Sequence, residues 1–400
     1  MKGACVARPE LAILAGALLW LLDTPTAAAD APQATPPKLE VPATPDVDSF
    51  EEHLTVFDEV LGLVRQAYVG EPGSGLLAGA LDGLTDALDP FSTYVPAAEV
   101  DGYLETRKVG SRRSGAVILA ERGVAYVVAV EQGGPAAAAG IQPGDIVAKV
   151  NDRSTRLMPL WEIQELFAGK PGARLDLQLV RVGETRQVSL VLWPFTPPPP
   201  SLATVQGMTV LRIPTFDTAT APAVKKLLAA AAEATGPGLL VDLRRVSTGE
   251  PEAAYATAEL FAEGDLGSLT HRKKELQAFA SEQASVWQGR LVVLVDRGTL
   301  GAAEILATVL RQKARAELVG ERTFGHAGRQ GAAELSNGGR LFYTEAFYTG
   351  PDRKALHESL RPDVVVDERS RTLIEKDLPM TDLILDRGVR RLLGSRDARP

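Results

Sequence analysis

The stretch "VDRGTLGAAEILATVL", Val295 to Leu310, has the pattern of a catalytic turn. An apolar strand ends, a Gly-led turn follows and a helix begins, which is the arrangement in which many hydrolases expose a nucleophile. The apex of the turn is Gly301, and Ala302 and Ala303 follow it. Glycine carries no hydroxyl or thiol, so the turn has the shape of a nucleophile elbow without a reactive atom.

Composition argues against several other kinds of chemistry. A formal net charge of −8 is unfavourable for nucleic-acid binding, which needs a basic face. The single Cys5 cannot form an internal disulfide. Histidines His53, His271 and His357 are far apart in the chain and do not have the spacing of metal ligands. We therefore expect no metal, no cofactor and no nucleic-acid partner.

The N-terminus has the features of a secretory signal. Lys2 and Arg8 precede a twelve-residue apolar run from Leu11 to Leu22, and three alanines at 27–29 then supply small residues for cleavage. A spanning helix needs about 20 apolar residues, so an uncleaved anchor is the less favoured alternative. The pattern predicts export, to a bacterial periplasm, with no membrane span after removal of the signal.

Three patterns of secondary structure follow the N-terminus. Apolar residues recur at helical spacing from Phe50 to Tyr68. From Gly110 to Trp193 short β-rich runs alternate with Gly, Pro and Asn turns. Beyond the polyproline stretch at 195–201, near-continuous apolar strands alternate with helices, which predicts a sheet covered by helices on at least one face. "GRLFYTEAFYTG" predicts an extended pair, and Arg371 to Leu393 a helical tail with a solvated arginine face.

The stretch "QGGPAAAAGIQPGDIVAKVN" is the most specific motif in the chain. Pro135 begins a short helix, Gly140 ends it, and Gly144 permits a tight turn before the strand at Ile146. With its neighbouring strands it resembles a PDZ domain of the bacterial protease type. Such domains add an extended peptide as an extra strand and bind its terminal carboxylate on backbone N–H groups. A small β domain that serves only as a spacer is the alternative.

This resemblance implies a peptide groove between a strand and a helix. Relatives read Gly-Ile-Gly-Ile at the carboxylate loop, where this chain has Val117 in place of the second glycine. A branched side chain there hinders close approach of a ligand to the backbone, so we expect weakened or altered carboxylate binding. The residues implied in peptide binding are Gly115, Ala116, Val117 and Ile118 on the strand, and Trp161 and Glu165 on the helix.

Further stretches, from about Phe50 to Asp367, resemble the C-terminal processing peptidases, also called tail-specific proteases. They are "VFDEVLGLVRQAYV", "LDPFSTYV", "VLRIPTF", "GLLVDLR", "RGTLGAAEI", "GERTFG" and "RPDVVV", in the family's order. The resemblance implies a mixed α/β (α+β) fold: a crotonase-like ββα peptidase core, an inserted PDZ domain and an N-terminal helical region. The predicted segments are a signal peptide at 1–29, a Pro/Ala-rich tether at 30–49, the helical region at 50–107, the PDZ domain at 108–194, a Pro-rich linker at 195–201, the core at 202–367 and a helical tail at 368–400.

The same resemblance places the family's catalytic positions. Relatives carry a serine nucleophile three places before a glutamate, and Glu304 aligns Gly301 with that serine. Their lysine base corresponds to His326, and their supporting glutamine to Gln330. A histidine can act as a base near neutral pH, but at Gly301 there is nothing to activate. Loss of a nucleophile costs about 10⁶ in kcat, so we predict a catalytically inactive protein.

The oxyanion side also departs from the family. Relatives read Asp-Leu-Arg-Asn-Asn-Pro-Gly-Gly, and this chain reads "DLRRVSTG" from Asp242 to Gly249. The positions equivalent to the oxyanion donors are Gly249 and Ala302. A displaced nucleophile remains an alternative, and its candidates are Thr299, Ser247 and Thr248, which lie on the elbow or on the facing loop.

These residues favour an exported homologue of serine peptidases that binds polypeptides without cutting them. Its expected partners are polypeptide C-termini or unfolded exported proteins, bound as a regulator or adaptor, with an active homologous protease as a further candidate. One alternative is a working serine-type endopeptidase with a displaced nucleophile. The other is a structural envelope protein in which neither groove binds a ligand.

Overall fold

The computed structural model describes residues 47–70, 73, 75–121, 123–233, 236–366 and 382–394. The predicted signal peptide and nearly all of the predicted tether lie outside these residues. The chain divides into two compact units, residues 1–71 and residues 72–400. In the first unit, helix α1 (Val47–Ala67) is amphipathic but leaves apolar side chains such as Leu54, Phe57 and Val60 about half exposed.

The second unit begins with a helical segment. Its elements are α2 (Gly75–Asp86), β1 (Thr93–Val95) and α3 (Val100–Val109). Between α2 and β1 the carboxylate of Asp89 accepts hydrogen bonds from the backbone N–H groups of Phe91 and Ser92, each at 2.8 Å. Asp89 thereby stabilises the turn that presents the Phe91 ring.

A six-stranded antiparallel sheet forms the next part. Its strands are β2 (Ala116–Glu121), β3 (Val124–Val130), β4 (Ile146–Val150), β5 (Arg153–Ser154), β6 (Arg174–Arg181) and β7 (Glu184–Val191). They lie in the order β2-β3-β4-β6-β7, with β5 paired to β4. Two helices accompany them, α4 (Pro135–Ala138) and α5 (Leu160–Phe167). Ile163 and Phe167 of α5 are buried in the core of this sheet, so β2 is an edge strand with a helix beside it.

A largely parallel sheet forms the main core. Its strands are β8 (Ser201–Val205), β9 (Met208–Arg212), β10 (Leu239–Asp242), β13 (Leu291–Val295), β14 (Glu317–Gly320) and β17 (Val364–Val365), in the order β17-β14-β13-β10-β9-β8. Helices α6 (Thr220–Glu233), α7 (Pro251–Ala258) and α8 (Ala302–Lys313) contribute to the core on one face. Alternate side chains of β13 point to opposite faces of the sheet. Val293 packs in that core, and Leu294 packs in a second apolar cluster on the other face.

A five-stranded antiparallel sheet completes the fold. Strands β11 (Gly264–His271), β12 (Lys274–Ser281) and β16 (Arg340–Tyr348) form the order β1-β16-β11-β12, and β15 (Gly328–Glu334) also pairs with β16. One sequence expectation needs correction, and one element was missed. "GRLFYTEAFYTG" is one long strand and not an extended pair, because its antiparallel partner β15 precedes it. The β11–β12 hairpin was not predicted, because β12 is mostly exposed and polar and has no apolar run.

The part of the predicted helical tail that the structure describes is helical. Helix α9 spans Leu383–Leu392, and residues 367–381 lie outside the described part of the chain. Its apolar side chains Ile384, Val389 and Leu392 pack on the second face of the parallel sheet. The arginine face is not purely solvated, because Arg391 pairs with Glu317 of β14. The tail helix is therefore part of the core.

Candidate functional site

The turn between β13 and α8 has the backbone of an elbow. Gly301 precedes α8 with φ +59° and ψ −112°, a conformation that L-residues adopt only under strain. A Cβ placed on Gly301 would meet nothing nearer than the carbonyl oxygen of His326, at 3.8 Å. There is thus room for a side chain at the apex of the turn, and the natural residue leaves that space empty.

Glu304 connects the elbow to the loop that carries His326. Its carboxylate accepts hydrogen bonds from the backbone N–H groups of Gly301 (3.0 Å), Gly325 (2.7 Å) and His326 (3.0 Å), and from the Thr323 hydroxyl. The side chain is buried, and burial raises its pKa to about 7 although these four donors oppose the shift. Glu304 therefore sets the distance between the elbow and the position of the base.

His326 lies between aromatic rings. It stacks on Phe91 with ring centroids 4.0 Å apart and meets the edge of Phe347 at 5.4 Å. Its Nε2 atom lies 3.3 Å from the Thr344 hydroxyl. Burial lowers the pKa of His326 to about 4, with Asp89 opposing the shift and His357 adding to it. The imidazole is therefore neutral at pH 7, and at that pKa it is a weak base.

Gln330 connects neighbouring elements. Its amide Nε2 donates to the carbonyl oxygen of Phe91 at 2.6 Å, and its Oε1 accepts from Arg107 at 2.6 Å. Arg107 also lies over the Phe342 ring, 4.9 Å from its centroid. Gln330 thus stabilises the position of Phe91, the ring against which His326 stacks.

The loop with Gly249 is held against the elbow. The N–H of Leu300 donates to the carbonyl oxygen of Val246 at 2.9 Å. Gly249 has φ +137°, and a Cβ there would lie 2.6 Å from the backbone nitrogen of Phe216, so only glycine fits. Ala302 is the first residue of α8. The two oxyanion-equivalent residues thus lie on segments that the structure brings together.

The three candidate displaced nucleophiles have different surroundings. Thr299 is fully buried, and its hydroxyl donates to the carbonyl oxygen of Leu243 at 3.0 Å and accepts from the N–H of Asp296 at 3.0 Å. The Thr248 hydroxyl lies 3.4 Å from that of Thr215. Within the described part of the chain, the buried hydroxyl of Ser247 has no hydrogen-bond partner. Of the three, Ser247 alone has an uncommitted oxygen.

The β2 end of the predicted peptide groove is already occupied by internal contacts. The N–H of Gly115 donates to Ser111 O at 2.7 Å, and that of Ala116 lies 3.3 Å from the Ser114 hydroxyl. Ala116 and Ile118 are buried in the core of the six-stranded sheet, and Val117 packs against a second buried cluster that includes Leu119 and Leu160. Two backbone donors of the carboxylate loop thus have acceptors within the chain.

The helix side of that groove faces another element. Trp161 packs against a cluster that contains Tyr103 and Phe342, and Glu165 approaches Gly102 of α3. Burial raises the pKa of Glu165, and the nearby carboxylates of Glu99 and Glu162 add to the shift. Trp161 and Glu165 therefore face α3, while the four β2 residues lie at the sheet edge, so the six predicted residues do not line one open groove.

Leu300, next to the elbow apex, was not singled out in the sequence. It is buried in a cluster with Leu119, Val128 and Leu160 of the β2–α5 segment, and Phe91 and Phe324 pack against this cluster. We call these contacts the Leu300 cluster. A large apolar residue directly before the apex of a surface turn is the signal that would have indicated such packing. The cluster joins the six-stranded sheet to the elbow.

Leu300→Ala is expected to lower the free energy of unfolding by about 2 to 4 kcal/mol, because it removes buried methyl groups and leaves a cavity at this junction. The measurement is urea denaturation followed by tryptophan fluorescence. Leu276→Ala on β12, where the side chain is 42% exposed, is the matched control and should change stability by less than about 0.5 kcal/mol. Equal losses in both variants would contradict the role given to Leu300.

Two negative findings apply to the described residues only. Among them, no group of histidine, cysteine, aspartate or glutamate side chains is arranged to hold a metal ion. Likewise, no described helix is long and apolar enough to cross a membrane.

Comparisons with protein families match both parts of the fold. Residues 207–366 match the model of peptidase family S41, and residues 126–181 match a PDZ domain model. These matches cover the parallel-sheet core and much of the six-stranded sheet. The predicted mixed α/β fold with a family S41 core and a PDZ domain is confirmed.

Individual relatives agree with the family models. The carboxy-terminal processing protease CtpA of Bacillus subtilis is 28% identical over 296 residues, which are 72% of this chain and 63% of that protein. The carboxyl-terminal-processing protease of a Synechocystis species is 27% identical over 371 residues, covering 89% of this chain and 86% of that protein. A solved structure of the photosystem II D1 C-terminal processing protease superposes with a TM-score of 0.64 at 25% identity, covering 86% of this chain and 92% of that one.

Proposed function

Because residues 207–366 match the model of peptidase family S41 and residues 126–181 match that of a PDZ domain, we propose that this chain binds polypeptides and does not hydrolyse them. The observation that carries the proposal is Gly301, an elbow apex with space for a side chain and no reactive atom. His326, with its pKa lowered to about 4, adds to this because it would be a poor base even for a restored hydroxyl.

Polypeptide binding follows from the parts of the scaffold that remain. The edge strand β2 offers backbone groups to an extended segment, as PDZ domains do. The internal acceptors of Gly115 and Ala116 favour weak binding of a free C-terminal carboxylate, as the presence of Val117 also suggests. The ligands we propose are unfolded exported proteins and their C-terminal tails.

We propose that the protein acts as a regulator of, or an adaptor for, an active protease. A protein that holds polypeptides without cutting them would deliver them to, or withhold them from, an active homologous protease. The basic and apolar N-terminus supports export to a bacterial periplasm.

The test uses the purified chain with an unfolded protein such as reduced casein, labelled for fluorescence anisotropy. We expect saturable binding, and mass spectrometry should recover the casein intact after prolonged incubation. A proteolytically active family member serves as the positive control for cleavage. Absence of binding to casein and to a set of C-terminal peptides would instead favour a purely structural role.

One observation favours a second candidate function, hydrolysis by a displaced nucleophile. The unpartnered hydroxyl of Ser247 lies on the loop that contacts the elbow. If the chain cleaves casein, Ser247→Ala should abolish cleavage. If that variant remains active, Thr248→Ala and Thr299→Ala test the other two candidate nucleophiles. Cleavage by the natural chain would overturn the proposed function.

A further inference from the structure

A cavity of about 240 Å³ lies beside the candidate site. Its walls come from α2, from the turn before β1, from the β2–β3 turn and from the segment before α5. The residues that matter for its chemistry are Asp82, Asp86, Ser92, Arg156, Met158 and Leu160.

The cavity shares walls with the site described above. Leu160 belongs to the Leu300 cluster, which packs against the elbow. Ser92 directly follows Phe91, the ring that stacks on His326. The cavity is therefore a neighbour of the elbow, separated from it by the side chains of the Leu300 cluster. Its volume is below the roughly 300 to 1,000 Å³ typical of pockets for whole small molecules, so it suits a single side chain.

Asp82 is the group in this cavity whose carboxyl would gain most from a bound cation. Among the described residues, none places a hydrogen-bond donor or a cation at its carboxyl, and burial alone raises its pKa to about 6. A partly desolvated carboxylate without a partner is unfavourable, and an opposite charge would compensate it. Asp86 also faces the cavity, and Arg156 lies at its exposed rim. Met158 and Leu160 provide apolar surface against which the methylene groups of a long side chain can pack.

We propose that this cavity binds the cationic side chain of a polypeptide held across the elbow, with Asp82 as its ion-pair partner. The inference rests on the proposed polypeptide binding and specifies it: the bound segments contain a lysine or arginine. Asp82 then acts as a specificity residue outside both the PDZ groove and the former catalytic positions.

The test uses n-butylammonium as the probe, since it has the charge and the chain of a lysine side chain. The full chain is labelled with methyl-13C methionine and titrated while its NMR spectrum is recorded. Met158 lines the cavity and reports on it. Met208 is buried in the cluster below α9 and is the internal control. We expect saturable shifts of the Met158 methyl signal, none at Met208, and no comparable response to n-butanol, which is neutral.

Variants complete the test. Asp82→Asn should weaken butylammonium binding by at least about five-fold, because the amide keeps the shape and removes the charge. Asp58→Asn on α1, an exposed position, is the matched control and should have no effect. Equal affinity in Asp82→Asn, or an equal response to n-butanol, would overturn the inference. Hydrolysis of casein would overturn the proposed function, whereas the response of the Met158 methyl signal to n-butylammonium tests the cavity independently of that outcome.

Discussion

Gly301→Ser combined with His326→Lys is expected to create hydrolytic activity, which on our proposal the natural chain does not have. We expect a rate at least about 100-fold above background, because a positioned hydroxyl and base restore part of what the loss of a nucleophile removes. The space at Gly301 accommodates the serine. A lysine in the half-buried place of His326, beside Phe91, would have a lowered pKa and a useful neutral fraction at pH 8.

Full family-like activity is not expected from this variant. The loop from Asp242 to Gly249 keeps one of the family's two adjacent glycines, and loss of an oxyanion donor costs about 10² to 10³ in kcat. Gly301→Ser alone should remain inactive, since His326 is a weak base. The control is Gly301→Ala with His326→Lys, which has the same backbone strain and no hydroxyl. Cleavage by this control would show that the activity does not come from residue 301.

Glu304→Ala is expected to lower the free energy of unfolding by at least about 4 kcal/mol. The substitution leaves four buried donors without an acceptor, and each such group costs about 1 to 3 kcal/mol. These donors lie on the elbow and on the Thr323–His326 loop. Without Glu304 these hydrogen bonds between the two segments are lost, and both segments should become less well ordered. The measurement is urea denaturation of the natural chain and the variant. Glu282→Ala, at an exposed position, should change stability by less than about 0.5 kcal/mol.

The pH dependence of the free energy of unfolding is a second test of the buried Glu304 carboxyl. Its pKa is raised from 4.5 to about 7 in the folded chain, so between these values the folded state binds more protons than the unfolded state. Stability relative to Glu304→Gln should therefore fall as the pH rises from about 4.5 to about 7, by about 3 kcal/mol, and stay constant above that. A flat difference across this range would mean that the buried carboxyl is not the titrating group.

Much of the fold could be predicted from the sequence alone. Strands such as Leu291–Val295 are apolar on both faces, and helices such as Ala302–Lys313 follow them after a glycine turn. These are local patterns of residues adjacent in the chain, so periodicity and turn chemistry suffice to predict them. The hairpin Gly264–Ser281 escaped prediction because its second strand is a polar edge, which has no apolar alternation.

The absence of a reactive group at Gly301 could also be determined from the sequence, since it depends on the identity of one residue in a recognisable turn. What surrounds that turn could not. His326 meets Phe91, Gln330 bonds Arg107, and Leu300 packs with Leu160. Each contact joins residues more than 100 positions apart in the chain. The order and register of three sheets decide such contacts, so they cannot be predicted from local sequence patterns. Only the tertiary structure determined that His326 is a neutral, stacked ring and that Leu300 anchors the PDZ domain to the elbow.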